Sequence, residues 1–190
     1  MNAGVFLFIA FAALAAGILT SRRLRRVWLA LTLAGAAAGL SAALSVVLSG
    51  NEYEWRSGFP VGGEALHLRV DGLSAIFLAL LSVVGGSGAL YSHEYWTDRR
   101  NPASAPRGRA FWNAILIFMG LVLTMSNGLH FLIAWELFAV CGYFLVTLDR
   151  DRAEVRSAGW LYLAASHAGT LCLFVFFSLL QARSGSWELG

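Results

Sequence analysis

The chain has 190 residues, of which 58% are hydrophobic and 13% are charged, and its mean hydropathy is +0.66. A water-soluble domain carries about a quarter charged residues, so these values exclude a globular protein with a charged surface. The net charge of +3 is too small a basic excess for a nucleic-acid-binding protein. The composition therefore indicates an integral membrane protein whose surroundings are the lipid bilayer, with no nucleic-acid partner.

Apolar segments near 20 residues long predict membrane-spanning helices. Six such segments follow one another along the chain, at residues 3–20, 27–48, 71–92, 110–125, 129–147 and 158–180. The first segment is not a cleaved signal peptide, because its arginines follow the apolar run instead of preceding it. The predicted fold is an all-α integral membrane protein, a single membrane domain (1–190) of about six helices.

The loops alternate in charge along the chain. One set, at residues 21–26, 93–109 and 148–157, holds 11 of the 14 arginines. The positive-inside rule places this set in the cytoplasm, so both termini are predicted to lie outside. The long outer stretch 49–70 has Gly62-Gly63 between two strand-like runs, which predicts a β-hairpin there.

The second span contains Gly35-Ala-Ala-Ala-Gly39, and small residues four apart let helices approach closely. Packing within the chain is the simpler interpretation, and a docking face for another subunit is the alternative. Cys141 and Cys172 differ in predicted depth by roughly 12 Å, too far for a disulfide. No His or Cys pair has metal-ligand spacing, so no metal site and no cofactor are predicted.

Glu136 is the acidic residue that lies inside a predicted span, roughly 16 Å from the cytoplasmic end of span five. An ionisable group at that depth costs at least ~2.5 kcal/mol and indicates a functional site. His167 lies roughly 13 Å deep on span six, which a short loop makes an antiparallel neighbour of span five. Because histidine titrates near neutrality, we predict that Glu136 and His167 transfer protons. The alternative is a structural role, with both side chains hydrogen-bonded between helices.

Three further residues are predicted to have structural or accessory roles. His130 lies about 240° around the helix from Glu136, so the two side chains do not share a face. Because it lies at the outer start of span five, it is predicted to be an interfacial histidine. Asp71 begins span three, where a carboxylate can cap the helix N-terminus. Trp135 directly precedes the glutamate. His67 and His93 lie in or beside loops, and no role is predicted for them.

An enzyme is the weaker alternative function. Gly85-Gly-Ser87-Gly88 resembles the Gly-x-Ser-Gly pattern of rhomboid proteases, and His167 would then be the base of a Ser–His dyad. The serine falls on the third span, however, where that family has it on the fourth, and span two lacks a His-x-x-Asn pattern. A glycine–serine patch in a membrane helix is more often a packing surface. No catalytic residue is therefore predicted.

Four stretches resemble the antiporter-like membrane subunits of NADH:quinone oxidoreductase and of Mrp-type cation/proton antiporters. The likeness is strongest to the large membrane subunit of hydrogenase-4 and formate hydrogenlyase. The stretches are LRVDGLSAIF (68–77), LYSHEY (90–95), LIAWELFAVCGYFLV (132–146) and GWLYLAASHAGT (159–170). The stretch around Trp135-Glu136 is the most specific, because it sets a lone membrane carboxylate in a defined context.

This resemblance implies that Glu136 belongs to a row of buried ionisable groups that moves protons, with a partner lysine on a later, broken helix. The present sequence contains no lysine, and family members have about fourteen helices in two inverted repeats. We therefore expect a truncated or split subunit of the bacterial inner membrane. Its expected partners are its own missing C-terminal helices and other membrane subunits of a respiratory or hydrogenase complex. The alternative is a structural membrane piece that docks neighbours without moving ions.

Overall fold

A computed structural model describes residues 2–189, and most of them are helical. In chain order the elements are α1 (Ala3–Thr20), α2 (Arg25–Ser49), β1 (Tyr53–Val61), β2 (Glu64–Val70), α3 (Gly72–Tyr95), α4 (Ala105–Thr124), α5 (Gly128–Val146) and α6 (Ala153–Ser184). Among these described elements, α1, α2, α3, α5 and α6 are long and apolar enough to cross a membrane. The chain is therefore a mainly helical, multi-pass membrane protein.

Helix α4 begins with polar turns that precede its apolar segment. Its first two turns contain Arg107 and Arg109, which lower its hydropathy, and it is not among the helices apolar enough to span. The predicted segment 110–125 is the apolar remainder of this helix. Helix α6 likewise begins at Ala153, ahead of its apolar segment. Hydropathy locates the hydrocarbon-facing part of a helix, whereas backbone hydrogen bonding continues into the polar turns outside it.

The stretch between α2 and α3 folds into an antiparallel β-hairpin, which confirms the predicted turn at Gly62-Gly63. The two glycines have φ values of 63° and 92°, a backbone conformation that other residues adopt only with strain. The strands pair along their length except for an irregularity after Arg56. The described part of the chain is therefore mainly helical, as predicted for an all-α membrane protein, with one β-hairpin between two of its helices.

Helices α1 to α4 pack closely through small residues. In α2, a Cβ added to Gly35 would lie 2.9 Å from Leu14 of α1, and one added to Gly39 would lie 2.6 Å from Ser82 of α3. Glycine is therefore required at these two contacts. The Gly35–Gly39 face packs within the chain, so it is not a docking face for another subunit.

A buried amide fastens α1, α2 and α4 to one another. The Asn113 side chain of α4 is fully buried, and its Nδ2 donates to the Leu14 carbonyl of α1 at 3.0 Å. Its Oδ1 accepts hydrogen bonds from Trp28 Nε1 at 3.1 Å and Thr32 Oγ1 at 2.9 Å, both in α2. Both ends of the amide are thus satisfied, as a buried polar group requires.

A buried guanidinium fastens α4 to the end of α1 and to the loop before α4. Arg109 is 6% exposed, and its two terminal nitrogens donate to the two carboxylate oxygens of Asp98 at 2.7 and 3.0 Å. It also donates to the Ser21 carbonyl at 2.7 and 2.9 Å. This paired geometry explains how a charged side chain is tolerated in the interior.

Helix α6 packs along a narrow face of α5 and is otherwise open. Within its 32 residues, all of which the structure describes, the buried side of the helix consists of Gly159 and Phe177. Large apolar residues of α6 are exposed along its length, for example Trp160, Leu171 and Phe176. Cys172 of α6 is also exposed, and its thiol and that of the buried Cys141 are free.

Candidate functional site

Three glycines bring α5 and α6 together. Each faces a side chain across the helix pair, and the contacts are Gly128 with Phe177, Gly142 with Tyr162 and Gly159 with Thr147. They are spread over the length of α5, so the two helices approach closely from one end of the contact to the other. Side chains between these points therefore face one another across a short gap.

The predicted pair lies in this gap. Glu136 Oε2 on α5 is 3.6 Å from His167 Nε2 on α6, and the two side chains are 33% and 50% exposed. The fold thus brings together the carboxylate and the imidazole that the sequence singled out. The distance is slightly longer than a hydrogen bond, so a small rotation of either side chain closes it.

The backbone of α6 sets the orientation of the imidazole. His167 Nδ1 lies 3.0 Å from the Leu163 carbonyl. Because a carbonyl only accepts, Nδ1 carries a proton, and Nε2 of the neutral ring is an acceptor that faces Glu136. A carboxylate and a bare ring nitrogen can hold one proton between them, on either partner. The pair can therefore take up, share and release a proton.

Two polar atoms next to this contact are buried without a hydrogen-bond partner in the described part of the chain: Glu136 Oε1 and Trp135 Nε1. The Trp135 ring packs between Phe131 and Phe138, at centroid distances of 6.0 and 6.1 Å. A buried polar atom is nearly always satisfied in a native protein, by water if by nothing else. Oε1 is therefore the oxygen of Glu136 that remains available to a water molecule or another polar group.

His130 does not join the pair. It is 2% exposed, and its Nε2 lies 3.0 Å from the Val61 carbonyl in the hairpin. The sequence predicts an interfacial histidine at this position. The residue is instead buried, because the hairpin covers the N-terminal end of α5. Its contact holds the hairpin on the helix.

Asp71 caps α3 as predicted. Its Oδ1 accepts a hydrogen bond of 2.7 Å from the Ser74 backbone N–H. This hydrogen bond holds the pKa of the Asp71 carboxyl below its ordinary value, against the opposing effect of partial burial. The local contacts of Asp71 are those of a helix cap.

The structure contains a second polar cluster that the sequence did not indicate. His67 is 5% exposed, its Nε2 lies 2.9 Å from Glu54 Oε1, and its Nδ1 contacts the Glu188 carboxylate. Arg56 lies 3.5 Å from Glu188, and its hydrogen bond to Glu54 lowers the pKa of that carboxyl. This outer cluster ties the hairpin to the segment that follows α6. In the sequence, the alternation of Glu54 and Arg56 is the one local sign of this cluster. Glu188 lies 121 residues from His67, so no local pattern connects the two residues.

The glycines of the rhomboid-like pattern at residues 85–88 are packing residues between α3 and α4. Gly85 and Gly88 of α3 lie against side chains of α4, where an added Cβ would collide. Ser87 is exposed, and the polar contacts described for His167 go to Leu163 and Glu136. The described residues thus show no Ser–His dyad. Nor does any group of three or more His, Cys, Asp or Glu side chains within residues 2–189 have the arrangement of a metal site.

No family model matches the chain, but several curated proteins are similar to it in sequence. Hydrogenase-4 component B of Escherichia coli (strain K12) is 31% identical over 123 residues, which cover 65% of this chain and 18% of that protein. A probable K(+)/H(+) antiporter subunit of Rhizobium meliloti (strain 1021) is 31% identical over 147 residues, which cover 75% of this chain and 14% of that protein. The chain spans less than a fifth of the length of these relatives.

A solved structure has the same fold. The membrane-bound sulfane sulfur reductase, an archaeal respiratory membrane complex, contains a chain that matches with a TM-score of 0.78 at 21% identity, over 97% of this chain and 29% of that one. Fold and site together define a multi-pass helical membrane protein with an ionisable pair between two of its helices. The sequence relationships confirm the resemblance to one family: the chain is a relative of the antiporter-like membrane subunits of hydrogenase-4 and Mrp type.

Proposed function

We propose that the chain is part of a proton-conducting membrane subunit in a hydrogenase or NADH:quinone oxidoreductase type complex of the bacterial inner membrane. The observation that carries the proposal is the 3.6 Å contact between Glu136 and His167 on two apolar helices. Similarity to a hydrogenase component and to a cation/proton antiporter supports the same class of function. The chain contributes no redox centre or cofactor, and electron transfer belongs to other subunits.

In the proposed path, a proton reaches the unpaired oxygen Oε1 of Glu136 and neutralises the carboxyl. Neutralisation removes most of the cost of holding this group in hydrocarbon. The proton then passes to His167 Nε2, which is already aimed at the carboxyl because Nδ1 is held by Leu163. The half-exposed imidazole releases it on the open side of α6. Trp135 limits the space around the carboxyl and has an accessory role.

The proposal requires partners that cover the open side of α5 and α6. A carboxylate and an imidazole that are 33% and 50% exposed would otherwise face lipid, which is unfavourable for ionisable groups. We propose that the remaining helices of a longer subunit, or other membrane subunits of the complex, lie there. The exposed apolar residues of α6 on either side of the pair give such helices a surface for packing.

We further propose that α4 also crosses the membrane, which gives six spans and puts both termini outside. The interhelical bonds of Asn113 support this, because they hold α4 alongside α1 and α2. The test is labelling with a membrane-impermeant thiol reagent in a chain with Cys141 and Cys172 replaced by serine. Gly58→Cys in the hairpin should react from outside and Arg100→Cys from inside. The reverse pattern would refute the topology.

The test of the function is proton translocation by the assembled complex that carries Glu136→Gln. We expect at least about a tenfold loss of translocation with assembly unchanged, because the amide keeps the shape of the side chain and cannot exchange a proton. Glu154→Gln is the matched control: this glutamate lies in the first turn of α6, is 82% exposed, and should be dispensable.

The second candidate function is a structural piece that docks neighbouring subunits without moving ions. It is favoured by the open face of α6, in which Gly159 and Phe177 alone of the 32 described residues are buried. The same experiment separates the two functions. If Glu136→Gln prevents assembly, the carboxyl is structural, and if translocation stays complete in the assembled complex, Glu136 does not carry protons.

A further inference from the structure

An open cleft of about 570 Å³ lies at the arginine-rich end of α2, beside the last turn of α3. We name it the arginine cleft, and its lining consists of Arg23, Leu24, Arg25, Arg26, Val27, His93 and Glu94. Three guanidinium groups here face a single carboxylate, so the cleft is positively charged. Neither the Glu136–His167 pair nor the outer cluster uses any of these residues.

Side-chain atoms that line the cleft lack partners. Arg25 Nη2 contacts the His93 carbonyl and lies 3.0 Å from His93 Nδ1. His93 Nδ1 also lies 2.9 Å from Glu94 Oε1, so this ring nitrogen is in contact with both Arg25 and Glu94. Both His93 Nε2 and Arg25 Nε are buried without a hydrogen-bond partner in residues 2–189. Arg25 Nε can only donate, so it is a buried donor that the described residues leave unsatisfied beside the arginine-lined cleft.

The backbone adds further positive charge. Helix α2 begins at Arg25, and its first turn has no capping side chain among the described residues. The free N–H groups of that turn and the positive end of the helix dipole face the same region as the arginines. Glu94, whose side chain is 81% exposed, lies 3.4 Å from Arg25 and 2.9 Å from His93 Nδ1, and it is the carboxylate in the cleft that competes with a bound anion.

The position of the cleft indicates which anion it binds. Leu24 and Val27, which line it, are 52% and 42% exposed, so its rim is apolar. In the same last turn of α3, Tyr91 and Tyr95 flank His93 and Glu94 and stack at 5.1 Å on the exposed surface, as aromatic residues do at a membrane interface. A ligand that satisfies both parts has a phosphate at one end and hydrocarbon at the other.

We propose that the arginine cleft binds the phosphate group of an anionic phospholipid, whose acyl chains run down the exposed surface past Leu24 and Val27. Arginine suits this ligand because its planar fork can contact two phosphate oxygens at once. Basic pockets at the ends of membrane helices hold lipid headgroups by the same physics. Such a lipid would fix the α2–α3 corner of the bundle to the membrane surface.

The test is native mass spectrometry of the purified chain in an uncharged detergent, with phosphatidylglycerol and phosphatidylcholine added separately. We expect phosphatidylglycerol to bind at least about tenfold more tightly, since each arginine near the surface contributes roughly fivefold to such binding. Soluble glycerol phosphate is the second arm, which asks whether the phosphate binds without acyl chains.

Two double variants that remove the same charge provide the comparison. Arg23→Gln with Arg26→Gln removes two exposed arginines from the cleft, and Arg22→Gln with Arg99→Gln removes two exposed arginines outside it. The first should weaken phosphatidylglycerol binding at least about tenfold, and the second less than about twofold. Glu94→Gln should strengthen binding, because it removes the competing anion. Unchanged circular dichroism establishes that each variant is folded.

Three results would overturn or redirect the proposal. Equal weakening by both double variants would mean that lipid follows the overall charge and that the cleft has no special affinity. Equal binding of the two lipids would exclude recognition of an anion. Binding of glycerol phosphate that depends on Arg23 and Arg26, without lipid binding, would support a phosphate site and overturn the lipid as its ligand.

Discussion

Asn113 and Glu136, one in each half of this protein, differ in how completely they are hydrogen-bonded. In the closed half, α1 to α4, the Asn113 amide has a partner at both ends and fastens three helices. In the open half, α5 and α6, Glu136 leaves one carboxylate oxygen unpaired and presents the other to a half-exposed His167. A fully paired polar group fixes the packing of helices, whereas a partly paired one stays available for proton exchange.

The largest difference in stability between the two halves should come from replacing one glycine with alanine in each. An added Cβ at Gly17 of α1 would collide with the Asn113 amide, whereas at Gly169 of α6 it would meet no atom within 4 Å. We expect Gly17→Ala to lower the free energy of unfolding by about 2 kcal/mol and Gly169→Ala to raise it by up to about 1 kcal/mol. Unfolding of the purified chain by a denaturing detergent measures both. Equal destabilisation by the two variants would mean that α6 is packed on all sides.

A second effect of about 2 kcal/mol is expected from Asn113→Ala. The substitution removes three interhelical hydrogen bonds, each of which contributes roughly 0.6 kcal/mol in a membrane protein. Thr124→Val is the control on the same helix, because the Thr124 hydroxyl bonds within α4 to Gly120 and Leu121. The same unfolding experiment should show little change for the control. If the two variants unfold alike, the amide does not fasten the closed half.

A smaller effect is expected at the cap of α3. Asp71→Ala should cost about 1 kcal/mol at neutral pH, as the loss of a helix cap does. Because the Asp71 pKa in the folded chain lies below its ordinary value of 3.8, the stabilisation is present above that value and disappears as the pH falls through the lowered pKa. The difference between wild type and Asp71→Ala should therefore shrink at acidic pH. Asp71→Asn, which keeps an oxygen acceptor without the charge, should lack this pH dependence.

No proton conduction is expected from the purified chain alone. Purified and placed in liposomes, it should not conduct protons above background in a pH-dye assay. From Leu171 to Leu180, α6 carries one hydroxyl, that of Ser178, among apolar residues. A path across roughly 30 Å of hydrocarbon needs several polar groups or water-filled cavities. Conduction by the isolated chain that Glu136→Gln abolishes would show that the open half needs no partner.

Much of the helical framework could be predicted from the sequence. Hydropathy located a helix at each of the six apolar segments, and Gly62-Gly63 located the hairpin, because both signals are local. The approach of Glu136 and His167 was also predictable, since two helices joined by a short loop must be antiparallel and residues at matching depth then meet. Their role in proton transfer stays a prediction.

Contacts between distant segments could not be predicted in the same way. Glu188 approaches His67 because the segment after α6 pairs with the loop before α5, which no local pattern encodes. The burial of His130 depends on how the hairpin folds over α5. By sequence, Arg109 belongs to the arginine-rich loop 93–109. In the structure it lies inside α4, because Asp98 and the Ser21 carbonyl satisfy its guanidinium. Each of these outcomes follows from packing and not from hydropathy.

The most direct test of the central proposal, that Glu136 and His167 exchange a proton, is a set of three variants in the assembled complex. Proton translocation is measured for Glu136→Gln, for His167→Gln and for both together, each normalised to the amount of assembled complex. Groups that act as one unit lose their function together. We therefore expect either single variant to lower translocation at least about tenfold and the double variant to lower it no further. Full translocation in His167→Gln, or losses that multiply in the double variant, would contradict the proposal.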